Sequence, residues 1–436
     1  MCFCIYDPLR QFRQSVYQTF YPSRDAAFET IDAIANSPYA RSAVEVSLSP
    51  TMERSFSSIY KGIERTRIDL DLLRPLLVKQ AETCGSLLFD GYAIYALDHT
   101  PYPRKSAPTL SDRSYVHGAD GVVVGHQYSI LGRVMHDEGS WVGVVDLERI
   151  PTTKTPCEVG TDQIERLKEK SSLPVIITAD SEYVTDEILD SADEKTHLLI
   201  RFRSNRKLFD APVPKPKSRR GPQSKHGKKM KLNQEETLRE PDEVVRVEED
   251  DGGFSIISVW KGVHVESRPQ VGLSAIRVEV YNREGKKRYN RAMWLAWSGP
   301  EQMDWGRFWR VYFKRFLIEC VHQFTKNFLS WTRARLGYTG REERWSWMVM
   351  LAYWQLLMAA PLARDVYRPW EKPKARKLPT PGRVQRDYQR IIIEVGSPVR
   401  SPKVRGKAIG RPEGYRPMPR PSYKVVYKGE IEVARV

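Results

Sequence analysis

Apolar residues recur at three- and four-residue spacing through residues 26–35 and 52–77, with few glycines between, so residues 8–80 read as helical. After Gly85 the period changes. Residues 86–97 read as a buried strand ending at Asp98. Residues 121–134 and 140–147 are rich in β-formers and bounded by turn residues. Residues 160–171 have the polar amphipathic pattern of a helix, with Thr161 or Asp162 as its cap. The short apolar run 174–178 predicts a strand buried on both faces, closing at Asp180, and 196–203 predicts another. Together these elements predict an α/β fold with a mixed sheet flanked by helices.

β-patterning returns at 244–247, 254–265, 275–281 and 292–296, which reads as a β-rich insertion. Ser298-Gly299-Pro300-Glu301 has capping-box spacing, so a helix is expected from Ser298 to about Leu336, with Gly337 as its stop. Residues 345–360 are apolar but shorter than the ~20 residues that span a bilayer, and predict a buried packing helix.

Length and charge divide this pattern. The 436 residues carry a net charge of +16, of which residues 371–436 hold 17 Lys+Arg against 6 Asp+Glu, with nine prolines. A basic, Pro-rich, mostly extended tail is expected there, suited to a polyanion. A second basic stretch, residues 213–232, holds eight Lys+Arg and no acid, with Arg203, Arg206 and Lys207 just upstream. Such a run is the electrostatic footprint of nucleic acid. The expected organisation is 1–84 a helical DNA-binding domain, 85–207 and 298–370 the two parts of a core, 208–297 basic loop and insertion, and 371–436 the tail. The cysteines (Cys2, Cys4, Cys84, Cys157, Cys320) are odd in number and lack C-x-x-C spacing, against a disulfide framework or structural zinc site. No apolar leader opens the sequence, so a cytoplasmic protein is expected.

On a helical wheel at about 100° per residue, Tyr312, Arg315, Glu319 and Lys326 fall within a sector of roughly 60°, with Phe313, Leu317, Val321, Phe324, Phe328 and Trp331 on the other flank. Taken alone this is a solvent-facing stripe with an i,i+4 ion pair. Asp98 and Asp180 at strand ends alter its meaning: three carboxylates brought together with Glu319 make a site for hard divalent cations. Two such ions can stabilise both oxygens of an in-line phosphoryl displacement.

The spacing Tyr312-x₂-Arg315-x₃-Glu319-x₆-Lys326 resembles the Y-R-E-K signature of bacterial insertion-sequence DDE transposases, which have a ribonuclease H-like catalytic core. Tyr95-Ala96-Leu97-Asp98-His99-Thr100 looks like their first acidic strand, and Ile177-Thr178-Ala179-Asp180-Ser181-Glu182-Tyr183 like the second. Arg203, Arg206 and Lys207, then Gly221-Pro222 and His226-Gly227, resemble the basic stretch that follows. His99 stands where many relatives have a second Asp, and Pro101 is unlike the usual pattern. The resemblance covers about residues 85–360. It implies that Asp98, Asp180 and Glu319 ligate two magnesium or manganese ions, that Arg315 and Lys326 contact DNA phosphates, and that the Tyr312 hydroxyl holds the terminal phosphate. It further implies double-stranded DNA as partner, a homodimer on DNA, and, where a hairpin forms, a base-stacking tryptophan among Trp260, Trp294 and Trp297. Alternatives are a transposase-derived DNA-binding protein without catalysis and a general ribonuclease H-like nuclease.

Overall fold

The computed structural model describes residues 5–118, 121–137, 139–213, 223–372, 378–404, 410–427 and 434–435. Its main elements, in chain order, are helices α1 (Asp7–Gln18), α2 (Arg24–Ala35), α3 (Phe56–Arg65) and α4 (Leu70–Cys84). Strands β1 (Tyr92–Pro103), β2 (Ser114–Gly118), β3 (Gly121–Val134) and β4 (Val142–Ile150) follow, then α5 (Pro156–Lys168), β5 (Val175–Ala179) and β6 (Thr196–Arg201). After them come β7 (Glu243–Glu248), β8 (Phe254–Val263), β9 (Leu273–Tyr281) and β10 (Met293–Trp297). The last elements are α6 (Phe316–Phe328), α7 (Thr339–Ala359) and α8 (Pro381–Val395). The strands form a large mixed sheet flanked by helices. Among the described residues no helix is long and apolar enough to cross a membrane.

The chain divides into two compact units: the first is Leu87–Asp98 with Pro156–Leu317, the second Met1–Ser86, His99–Thr155 and Ile318–Val436. In the first, the strand order is β7-β8-β9-β10-β6-β5-β1, with β1, β5 and β6 mutually parallel and the rest antiparallel. The β7–β10 meander continues the same sheet: Leu295, Ala296 and Trp297 pair with Arg201, Ile200 and Leu199. β7 forms the outer edge, with alternate residues outward. In the second unit, β3 pairs with β2 along its first residues and with β4 along its later ones.

Several elements differ from those the sequence predicts. The run 86–97 is a tight hairpin: Asp90 and Gly91 take φ of 48° and 86°, so Leu88 and Phe89 fold back on Ala93 and Tyr92. Positive φ at both central residues is what a two-residue turn with the right twist requires. β1 then runs past Asp98 to Pro103. Helix α5 starts at Pro156, so Thr161 and Asp162 lie inside it and cap nothing. Gly160 is there for close approach, since a Cβ would meet Leu97 at 3.0 Å and Tyr183 at 3.1 Å.

The helix expected from Ser298 does not begin there. Ser298 is recruited by β6: its backbone N–H donates to Leu198 O at 3.1 Å, and its hydroxyl accepts from Leu198 N at 2.8 Å. The chain winds instead as a short α-turn, Trp305–Phe308, then a 3₁₀ segment, Trp309–Arg315, and only then as α6, which ends at Phe328 rather than Leu336. Tyr312 and Arg315 therefore precede the helix that carries Glu319 and Lys326.

The basic tail is not wholly extended. Residues 381–395 form α8, whose Val384, Tyr388, Ile391, Ile392 and Val395 are buried. Tyr388 donates to Gln355 Oε1 of α7, Arg13 of α1 holds Asp32 of α2 at 2.6 and 2.9 Å, and Gln385 donates to Ala35 O at 3.2 Å. Gly396, at φ 75°, ends the helix. α7 is buried along almost its whole length, as expected for a packing helix.

Candidate active site

The first unit builds its site from a pair of parallel strands. β1 and β5 pair with a constant offset, Ala93 with Val175 through Ala96 with Thr178. Thr178 Oγ1 donates to Tyr95 O at 3.0 Å and pins that alignment. That pairing stops two residues short of Asp98 and Asp180, which follow at the same offset on their two chains. Asp180 stays extended (φ −82°, ψ 175°) and accepts from Ser181 N at 2.7 Å, capping the 3₁₀ turn Ser181–Tyr183.

The 3₁₀ segment closes over these acids. At three residues per turn Tyr312 and Arg315 share a side. Arg315 Nη1 lies 3.3 Å from Asp98 Oδ2, both side chains largely buried, and Tyr312 Oη reaches Asp180 Oδ1 at 3.5 Å. The Arg315 guanidinium sits 6.0 Å from the Tyr312 ring centre. Burial raises the Tyr312 pKa, Arg315 opposes this and Asp180 adds to it, so the phenol remains a proton donor. Two neighbouring carboxylates thus each meet a donor that offsets their mutual repulsion. Oxygen donors of this kind fit a hard divalent cation, which takes one or two carboxylates and completes its shell with phosphate and water.

The other signature residues lie in the second unit. Glu319 is half-buried in the first turn of α6, and Lys326 in its last turn donates to Thr100 Oγ1 at 2.6 Å. Among the described residues no group of three or more His, Cys, Asp or Glu side chains is gathered as a metal site.

The basic stretch is partly described. Lys207–Phe209 pairs with Lys229–Lys231, and Arg203, Arg206 and Lys207 line a cleft of about 550 Å³ with Asn205, Glu266 and Ser267. Arg206 Nη2 donates to Val184 O at 3.3 Å. Lys215, Lys217, Arg219, Arg220 and Gly221-Pro222 lie outside the described residues. His226 Nδ1 lies 3.0 Å from His264 Nε2.

None of the three tryptophans offers a ring to a base. Trp260, Trp294 and Trp297 are all buried; Trp260 packs 5.1 Å from Trp294 and donates to Arg239 O at 2.7 Å. The exposed aromatics are elsewhere. Tyr289, Phe313 and Phe316 line a cavity of about 330 Å³ with Arg201, Arg291 and Arg315. The run Lys286-Lys287-Arg288-Tyr289-Asn290-Arg291, cations around one aromatic between two strands, carried that signal in the sequence.

Asp98 and Asp180 thus face Arg315 and Tyr312, two of the residues that line the aromatic and arginine-rich cavity. The sequence profile of the DDE superfamily endonucleases matches residues 15–252, more than half of the chain, and the chain belongs to that family. The match includes Asp98 and Asp180 and ends before Glu319. Members of the family use divalent metal ions. No curated protein matches the chain.

Proposed function

We propose that this protein is a DNA transposase with a ribonuclease H-like core, which nicks the ends of a mobile element and joins the freed 3′ ends to a target. The observation that supports this reading best is that Arg315 and Tyr312, side by side on one 3₁₀ segment, face Asp98 at 3.3 Å and Asp180 at 3.5 Å. Those two carboxylates, with Glu319 as the third, are the proposed holders of two magnesium or manganese ions. When bound, the ions lower the pKa of the attacking water or hydroxyl and offset charge on the phosphate.

The chain's own groups do the rest. Arg315 and Tyr312 donate to non-bridging phosphate oxygens, the guanidinium as a fixed fork and the phenol as a neutral donor. Lys326 contributes a further cation. Arg203, Arg206 and Lys207 hold the flanking backbone. The cavity at Tyr289, Phe313 and Arg291 takes an unstacked nucleotide beside the cut, aromatic faces to the base and cations to its phosphate. Residues 1–84 and the basic tail add DNA-binding surface, and two copies pair two ends, on the nucleoid in the cytoplasm.

One observation favours binding without catalysis: among the described residues no three acids gather. A cleavage assay separates the readings. Purified protein, magnesium and DNA carrying the ends that flank its coding region should give nicked and strand-transfer products. Asp180→Ala and Glu319→Ala should each reduce these below detection while DNA binding persists. Undiminished cleavage by either variant ends the proposal. Cleavage without strand transfer supports a general nuclease, and binding alone supports the non-catalytic reading.

A further inference from the structure

The described segment 410–427 delivers an arginine to a cleft in the second unit. β1 ends at Pro103 and the chain turns at Arg104 and Lys105; across from it the chain turns again at residues 332–337, between α6 and α7. Between these turns lies an open cleft of about 530 Å³. Lys105, Arg333, Arg335 and Arg420 line it, and no acidic side chain among the described residues does.

Arg104 is the floor and is already committed. Its guanidinium binds Glu342, donates from Nη1 to Thr332 O at 2.6 Å and from Nη2 to Ala334 O at 3.1 Å, and so fixes one turn against the other. The four lining cations differ. Each is exposed, and among the described residues none has an ion-pair or side-chain hydrogen-bond partner. Elsewhere in this unit arginines close on carboxylates: Arg341 on Glu64 at 2.6 Å, Arg383 on Asp365 and Arg386 on Glu371 at 2.8 Å. Four uncompensated charges in one concavity repel each other and focus a positive potential that an anion relieves.

Arg420 is held there by structure, not by floating charge. Three residues on, Tyr423 N donates to Pro108 O at 2.8 Å and Arg113 donates to Tyr423 O at 3.1 Å. Val426 N donates to Arg113 O at 2.7 Å, and the Val426 side chain is buried. The Arg420 guanidinium lies over Gly337, where a Cβ would meet its Nη1 at 3.0 Å. A basic tail pinned at this point is a wall of the cleft.

We infer that this cleft is a docking site for the phosphodiester backbone of DNA, contacted by Lys105, Arg333, Arg335 and Arg420. The inference rests on the proposed function and adds a contact in the unit that does not hold Asp98 and Asp180. Guanidinium forks match phosphate oxygens in pairs, and three arginines at one cleft suit a repeating anion better than a single carboxylate. The cleft also prolongs a line of positive groups. From Thr100, which Lys326 contacts, to Lys105 is five residues, at most about 16 Å of extended chain. That is about five nucleotide steps at ~3.4 Å of rise per strand.

The test is the salt dependence of binding by the full chain, without divalent metal, to a duplex of about 30 base pairs, read by fluorescence anisotropy from about 50 to 200 mM salt. Replacing Arg333, Arg335 and Arg420 together by Gln should reduce the slope of log K against log salt by about 2.7, or ~0.9 per lost phosphate contact. Arg420→Gln alone should remove about a third of that. The triple Arg→Lys variant should retain most of the slope, and all variants should melt with the parent, since these side chains are exposed. Parent binding with an unchanged slope in the triple Gln variant overturns this inference and leaves the proposed function standing. Failure of the parent to bind any DNA overturns both.

Discussion

Replacing Tyr388 distinguishes a packed α8 from a solvated basic tail. Its side chain is fully buried, its hydroxyl donates to Gln355 Oε1, and Arg13 Nη1 lies 3.5 Å away. Tyr388→Ala removes a whole ring from between α1, α2 and α7, and aromatic-to-alanine changes in cores cost about 3–5 kcal/mol. The polar loss is smaller, because Gln355 Oε1 still accepts from Arg13 Nη1 at 2.6 Å and is not orphaned. Tyr388→Phe isolates that part and should cost only about 1 kcal/mol. With m of roughly 2–3 kcal/mol/M in urea, the alanine variant should lower the unfolding midpoint by about 1–2 M. The assay is urea unfolding of the full chain followed by far-UV circular dichroism. A substitution in an extended tail would stay within about 0.5 kcal/mol. An alanine variant that unfolds with the parent would refute the packing described for residues 381–395.

Two further outcomes follow from the first unit. His197 lies between the rings of Tyr92 and Trp297, at 5.1 and 5.2 Å, and neither ring nitrogen is hydrogen-bonded among the described residues. Burial holds its pKa below 6.5, so the unfolded chain takes up this proton first, and the stabilisation is intact above that pH and lost as pH falls through it. His197→Phe should therefore lose less melting temperature than the parent between about pH 7.5 and 5.5; equal losses would show that the imidazole is not kept neutral. Tyr312→Phe deletes the donor facing Asp180 and should slow DNA cleavage roughly 10- to 100-fold, the cost of one transition-state hydrogen bond, with little change in melting. Cleavage within about twofold of the parent would remove Tyr312 from the chemistry.

Where local pattern and tertiary packing agreed, the sequence was a faithful guide. Residues 121–134, rich in β-formers and bounded by turns, are β3, and the apolar run at 174–178 is β5 displaced by one residue. Asp98 and Asp180 stand out in the sequence because each follows an apolar run, although the first strand continues past Asp98 to Pro103. The errors arose where a distant partner outbid a local signal. Ser298 has the residues of a helix cap but spends its hydroxyl on Leu198, and no local pattern reveals that. α8 was concealed by its surroundings: the spacing Val384, Tyr388, Ile391, Ile392, Val395 is helical, yet prolines and cations on either side dominate the composition. Arg420 was invisible as a site residue because its position depends on backbone bonds of Tyr423 and Val426 to residues 108–113.

The outer strand of the long sheet has a consequence for behaviour in concentrated solution. β7 is flanked by β8 on one side and, among the described residues, by no strand on the other, so its free N–H and C=O groups are a template for a strand from another molecule. Its outward positions include Arg246 and Glu248, joined at 2.9 Å, with the Arg246 guanidinium 3.8 Å from the Phe254 ring centre. An incoming strand would have to strip water from that ion pair before gaining a ladder. The fold thereby guards its own margin against fibrillar growth with a charged pair.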